Sequence, residues 1–234
     1  MKVSVVLPTY NEAGNIVSLV EEILKVMPID IRPEVIIVDD NSTDNTYEIA
    51  LKAFLSHPTV KVLLRTKDRG LANSIRYGIQ HASGDSVVVM DTDFTHNPAE
   101  IPNMVHVGEV YDMVSGSRFC SGGSMQTKPH YIASFIYNLF LRVILRTQVQ
   151  DNLGGFFLMD REKLLSLPFD KIFFGYGDYF FRLIYLVEKQ GYTIIEIPAY
   201  YSKRNTGKSK SNFLKMLLSY SWSALKFVNT KKHK

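Results

Sequence analysis

VVVMDTDFTHNP, from Val87 to Pro98, ends an apolar run abruptly in two carboxylates, Asp91 and Asp93, separated by one residue. The apolar part is β-branched and does not alternate with polar residues, which predicts a strand buried on both faces. Three earlier runs share that character: VSVVLP (3–8), VIIVDD (35–40) and VKVLL (60–64). Between them lie stretches of helical length and pattern, Asn15 to Met27, Thr43 to Leu55 and Leu71 to His81. Strand and helix alternating in this way predict an α/β fold, a Rossmann-like, mostly parallel sheet flanked by helices with right-handed crossovers.

In such sheets ligands bind beyond the carboxyl ends of the strands. The polar clusters fall at those ends: PTYNEAGN after the first strand, DDNSTDNT after the second, KDRG after the third and DTDFTHNP after the fourth. Four polar loops should therefore converge on one edge. Pro8, Tyr10 and Glu12 would set an aromatic face and a carboxylate beside the first strand, and Asp39 could accept from a ribose or a base N–H. Asp40, Ser42 and Asp44 read as the N-cap of the following helix.

Further along, MVSGSR (113–118) predicts another strand and SGGSMQTKP a loop. Tyr131 to Arg146 is an apolar helix whose polar residues, Ser134, Asn138, Arg142 and Arg146, form one narrow stripe. The Gly- and Phe-rich segment DNLGGFFLMDR leads to a helix from about Asp178 to Gln190 and a strand, YTIIEIP. A closing helix, Asn212 to about Val228, carries the stripe Asn212, Lys215, Ser219, Ser223 and Lys226. With no repeat or linker, the expected division is one domain over residues 1–211, including the amphipathic helix 131–146, and a basic amphipathic helix and tail over 212–234.

The 234 residues are 46% hydrophobic and 21% charged, a globular composition. The single cysteine, Cys120, excludes an internal disulfide, and nothing before Val3 resembles a signal peptide, so a cytoplasmic location is expected. Net charge is +4, but the last 38 residues hold nine Lys or Arg and no acid, while the first 196 hold 18 basic and 23 acidic groups. That basic tail faces an anionic surface or is solvated. Its cations are interleaved with an apolar helix and lack a reader motif, so no nucleic-acid partner is expected.

The residues alone leave three readings of Asp91 and Asp93. Two hard oxygen donors at a strand end suit Mg²⁺ or Mn²⁺ bridged to a substrate diphosphate. They also suit a turn with Asx hydrogen bonds, since Asn97-Pro98 begins the next helix. Lastly, an apolar strand followed by D-x-D-x-T, here Asp91, Asp93 and Thr95, is the local signature of haloacid-dehalogenase-like phosphatases. That signature normally opens its domain, whereas here about ninety residues of βα units precede it.

Taken together, VSVVLPTYNEAGNI, IIVDDNSTDNT, GLANSIRYGIQHASGD, VVMDTDFTHNP, SGSRF and KRNTGKSKSN resemble the family 2 glycosyltransferases of the GT-A fold. Within them, the likeness is to the dolichyl- or polyprenyl-phosphate mannose synthases. The resemblance implies that Pro8, Tyr10, Glu12, Asp39 and Asp91 contact an activated nucleotide-sugar, with Arg204 and Lys208 or Lys210 closing over its diphosphate. Asp91 and Asp93 would carry Mg²⁺ or Mn²⁺, and Arg118, completing the catalytic set, would meet the acceptor phosphate. Two positions depart from the pattern. Thr95 stands where the family often has a Gln metal ligand and is the weaker oxygen donor expected to join Asp91 and Asp93, with His96 the other candidate. His130, ahead of Ser134, stands where an acceptor-binding Arg is usual and is expected with Ser134 to donate to the acceptor phosphate.

The implied reaction is inverting transfer of a sugar, mannose from GDP-mannose, to a polyprenyl phosphate. The alternatives are a UDP-sugar donor or a glycan hydroxyl acceptor. A hydroxyl must lose a proton as it attacks, whereas a phosphate with a second pKa of about 6 is already largely ionised near neutrality. Asp178 stands where hydroxyl-glycosylating relatives place a base, and the expectation here is a structural or sugar-contacting role. Neither amphipathic helix reaches the roughly 20 apolar residues of a membrane span. Wide apolar faces beside a basic tail instead suit peripheral docking on the cytosolic face of a membrane, with room for a separate membrane-protein partner. Core or dimer packing is the other reading, above all for the first helix.

Overall fold

The computed structural model describes residues 1–202 and 213–229. Four strands, β1 (Lys2–Thr9), β2 (Arg32–Asp39), β3 (Val60–Leu64) and β4 (Ser86–Val89), are linked by α1 (Ile16–Val26), α2 (Thr46–Phe54) and α3 (Leu71–His81). A 3₁₀ turn at Pro98–Glu100 and α4 (Ile101–Val107) lead to β5 (Met113–Ser117), a short β6 (Ser124–Met125) and the long α5 (Lys128–Leu145). Then come β7 (Phe157–Asp160), α6 (Arg161–Ser166), α7 (Phe169–Ile172), α8 (Tyr179–Lys189), β8 (Ile194–Pro198), β9 (Tyr200–Tyr201) and α9 (Phe213–Asn229).

The main sheet has the order β3-β2-β1-β4-β7-β5-β8, and β7 alone runs antiparallel to its neighbours. The unalternating apolar runs are explained by burial on both faces. Val6, Ile36, Val38, Val87 and Val89 pack under α3 and α8, while Val5, Leu7, Val35, Ile37, Val88 and Met90 pack under α1, α2 and α4. Helix α3 lies close to the sheet because of Gly78, where a Cβ would stand 2.3 Å from the Val6 side chain. In-register pairing of β1 and β2 brings Thr9 beside Asp39, so the loops after them start side by side.

Three local expectations are corrected. The fourth strand stops at Val89 because the Asp91 N–H turns to the His96 ring instead of continuing the ladder. The second helix starts at Thr46, after a loop in which Asn41 and Asn45 are left-handed. Asp40 is not its cap, since its carboxylate accepts from Arg65 Nη1 at 2.8 Å and from the Gly70 N–H. Strand β7, inside the Gly- and Phe-rich segment, was not anticipated.

Helix α5 turns the middle of its polar stripe inward, while Arg146 at its end is exposed. Asn138 is buried, accepting from Asn152 N and donating to Ser134 O, while Ile132, Ile136, Leu139 and Val143 are each more than half exposed. Helix α9 lies alongside, with Tyr220 and Ala224 buried against Tyr137, Leu141 and Phe181, and the Tyr137 hydroxyl donates to Leu217 O at 3.1 Å. Its outer side exposes Leu218, Trp222 and Leu225. No helix among the described residues is long and apolar enough to cross a membrane.

Candidate active site

The loops after β1 and β2 are laced together before any ligand is considered. Asn11, left-handed at φ 57, donates its N–H to Ser42 Oγ and accepts from Thr43 N, and Glu12 N donates to Thr46 Oγ1. Asp39 is fully buried, with Oδ1 taking Ser42 N at 2.9 Å and Oδ2 taking Thr9 Oγ1 and Ser42 Oγ. Glu12 Oε2 accepts from Asn15 Nδ2 at 2.8 Å. Pro8 is buried at the end of β1, its carbonyl accepting from Thr92 Oγ1, and Tyr10 stands exposed just beyond it. The Arg69 guanidinium lies 4.8 Å over the Tyr10 ring. The sequence marked its loop, KDRG, as polar, but only the fold brings Arg69 to the tyrosine.

The next loop holds the paired carboxylates. Asp93 is buried, and its Oδ1 accepts from Thr95 N at 3.1 Å and from Thr95 Oγ1 at 2.6 Å. Asn97 Oδ1 accepts from Ala99 N, so the turn-and-cap geometry is present. An Asx turn fixes one carboxylate oxygen and thereby aims the other, so this geometry is compatible with metal binding. Phe94 adopts φ 61, uncommon for an aromatic residue and a mark of a tightly constrained loop. The Asp91 side chain is 45% exposed, and its Oδ2 lies 3.9 Å from His96 Nε2. Ser202 donates its hydroxyl to Phe94 O and its N–H to Thr95 O, so the residue after β9 is fastened to this loop. Arg204, Lys208 and Lys210 themselves lie outside the described residues.

Arg118 follows β5 and is locked by a residue that sequence reading missed. Its Nε and Nη2 fork onto the Asp151 carboxylate at 2.7 Å each, and its N–H also reaches Asp151. Although burial opposes its charge, Asp151 holds the guanidinium above its ordinary pKa. Its carbon lies 4.8 Å over the Tyr201 ring. Adjacent Phe119 packs on Tyr131 and Phe135, bringing the Arg118 loop to the first turns of α5. His130 is exposed there and Ser134 half-buried.

Asp178 is enclosed. Its carboxylate accepts from Arg182 Nη1, from Ser223 Oγ at 2.8 Å and from Tyr176 N at 2.9 Å. Arg182 is fully buried and also donates to Ile172 O and Phe174 O. The loop before Asp178 turns at Gly175, with φ +76, where a side chain would press on Asp178 Oδ1 at 2.8 Å. This carboxylate ties the loop to α9.

Residues 4–167 match the profile of the glycosyl transferase family 2 proteins. The chain belongs to that family. The match spans the Asp91 to Thr95 motif, which removes the phosphatase reading. Among similar proteins, a dolichol-phosphate mannosyltransferase of Pyrococcus furiosus is 33% identical over 216 residues, covering 90% of this chain and 59% of that protein. An undecaprenyl-phosphate mannosyltransferase of Micrococcus luteus is 29% identical over 90% of this chain and 87% of that protein. A polyprenol monophosphomannose synthase of Mycolicibacterium smegmatis is 28% identical over 88% and 79%.

The fold is that of the GT-A members. A glucosyl-3-phosphoglycerate synthase from Mycobacterium tuberculosis, solved with Mn²⁺, UDP-glucose and phosphoglyceric acid, superposes with a TM-score of 0.70 at 22% identity, covering 97% of this chain and 79% of that one. The same enzyme with Mg²⁺ and UDP gives 0.68 at 22% identity, covering 98% and 78%. Among the described residues of this family 2 chain, no three His, Cys, Asp or Glu side chains converge on one point to hold a metal. Two carboxylates do suit a hard cation that completes its shell with water and phosphate oxygens.

Proposed function

We propose that the chain transfers mannose from GDP-mannose, with inversion, to the phosphate of a polyprenyl phosphate at the cytosolic surface of a membrane. The observation that carries the acceptor class is Asp178, whose carboxylate is held by Arg182, Ser223 and Tyr176 N. A hydroxyl acceptor needs a general base there, and an already ionised phosphate needs none. The names of the relatives supply the mannosyl and polyprenyl-phosphate parts of the reading.

In this reading the nucleotide lies across the loops after β1 and β2, with its base over Tyr10 and its ribose near Asp39. Asp91 and Asp93 would hold Mg²⁺ or Mn²⁺, which when bound offsets charge growing on the leaving diphosphate. Arg204, Lys208 and Lys210 add to that electrostatic stabilisation. Arg118, held rigid by Asp151, orients the acceptor phosphate with His130 and Ser134, and a phosphate oxygen attacks the anomeric carbon opposite the diphosphate. The exposed apolar sides of α5 and α9 rest on the bilayer, beside the acceptor's tail. Catalysis is assigned to residues 1–211 and surface attachment to 212–234 together with α5.

The test is transfer from radiolabelled GDP-mannose, UDP-glucose and UDP-N-acetylglucosamine into organic-extractable polyprenyl phosphate, with Mg²⁺, Mn²⁺ or EDTA. Metal-dependent label from GDP-mannose is expected in the lipid phase. Label only in a glycan, or undiminished transfer in EDTA, would refute the reading.

A further inference from the structure

We propose that His96 is a positioning residue for Asp91, gripping its backbone through one ring nitrogen and its carboxylate through the other once a divalent cation is bound. This rests on the proposed metal role of Asp91 and Asp93. His96 is buried, and its Nδ1 accepts the Asp91 N–H at 2.9 Å. A ring nitrogen that accepts carries no proton, so the neutral imidazole has its hydrogen on Nε2. That Nε2 is buried and makes no hydrogen bond. A buried donor without an acceptor is costly, and such atoms in a native fold call for an explanation.

The group facing it is Asp91 Oδ2, at 3.9 Å. The ring is not the part that can move to close that gap. It stacks on Phe156, with centroids 5.0 Å apart and planes 12° apart, and meets the edge of Tyr201 at 4.7 Å. Tyr201 is in turn fixed by its hydroxyl bond to Gly154 O. The Asp91 side chain is the more exposed of the two, and a torsional change in it on binding a cation would bring Oδ2 onto Nε2–H and leave its other oxygen for the cation. Direct ligation by Nε2 is disfavoured, since it would move the ring proton to Nδ1, against the Asp91 N–H. Neighbours that hydrogen-bond a ligating group orient it, and losing one weakens metal binding by about 10–100-fold.

Two substitutions separate the two grips. The amide oxygen of Asn can take the place of Nδ1, and the amide nitrogen of Gln that of Nε2. Mn²⁺ affinity of the full chain, measured by titration calorimetry alone and with GDP or UDP, is expected to fall about 10–100-fold in His96→Asn. In His96→Gln it should stay within about threefold of the parent, by the same reasoning. Parent-like affinity in His96→Asn, or a loss in His96→Gln as large as in His96→Asn, overturns the proposal while leaving the metal reading standing. If the parent binds no Mn²⁺, both fall. Electron spin echo modulation of Mn²⁺ on the unsubstituted chain supplies a check that needs no variant to fold. No directly coordinated imidazole nitrogen is expected, and finding one that His96→Gln abolishes would make His96 a ligand and overturn the assignment.

Discussion

Replacing Asp178 by Asn separates a structural carboxylate from a catalytic one. In the parent, Asp178 neutralises a guanidinium with no solvent exposure, and it also accepts from Ser223 Oγ and Tyr176 N. Removing one partner of a buried ion pair costs about 3–5 kcal/mol. Asn keeps an acceptor, and Arg182 retains its bonds to Ile172 O and Phe174 O, so about 3 kcal/mol, the low end of that range, is expected. For a chain of this size each kcal/mol shifts Tm by about 2–4 °C, which gives a drop of roughly 6–12 °C. Scanning calorimetry reads the shift, and single-turnover transfer well below Tm reads the chemistry. The folded variant should keep its rate within about tenfold, whereas loss of a general base removes about 10²–10⁴-fold. Pairing Asp178→Asn with Arg182→Leu should recover most of the stability, because an apolar residue replaces the stranded charge. An unchanged Tm with a loss of 10²-fold or more would refute the argument and make Asp178 a base.

Asp151→Asn should raise the KM for the lipid phosphate more than that for the nucleotide-sugar, because it releases Arg118 and leaves the donor loops intact. Equal effects on both would count against Arg118 as an acceptor contact. Glu34, which accepts from Ser4, Ser83, Lys2 and Lys61, is held below the usual carboxylate range. Burial opposes this shift, but the bonds from Lys61, Ser4 and Ser83 outweigh it. Its contribution is complete above the unfolded value of about 4.3 and is lost as pH falls towards the folded one. The stability gap between the parent and Glu34→Gln in urea should therefore shrink by about 1.4 kcal/mol per pH unit below pH 4, and a pH-independent gap would refute it. Finally, Leu218→Asp with Trp222→Asp should weaken sedimentation with anionic vesicles by at least about tenfold, since each exposed apolar side chain contributes up to about 1.5–3 kcal/mol on burial. Unchanged sedimentation would move the docking surface elsewhere.

The parallel half of the fold was legible because its strands are buried on both faces and leave apolar runs without alternation. Helix α3 falls on its expected residues, Leu71–His81. Strand β7 was hidden because four residues among phenylalanines and glycines carry no period to read. The loop residues that could touch a donor were visible as polar clusters at strand ends. Their partners were not, because Arg65 reaches Asp40 across 25 positions and Asp151 reaches Arg118 across 33. The polar stripe of α5 was read as a stripe, but no helical wheel says which side faces the protein. That depended on Asn152, which meets Asn138 only after the chain has turned back.

The placement of β7 also orders events during synthesis. Strands β1 to β4 find all their mutual partners within residues 2–89, although β1 meets β4 only across 83 positions, whereas β4 and β5 must wait for β7 at 157–160 and for β8 at 194–198. A chain emerging from its N-terminus can thus close the half that holds Tyr10, Asp39 and the paired carboxylates first. The Arg118 side waits for Asp151, β7 and β8. Donor ligand added to a stalled nascent chain would protect that early half from proteases, and acceptor ligand would not.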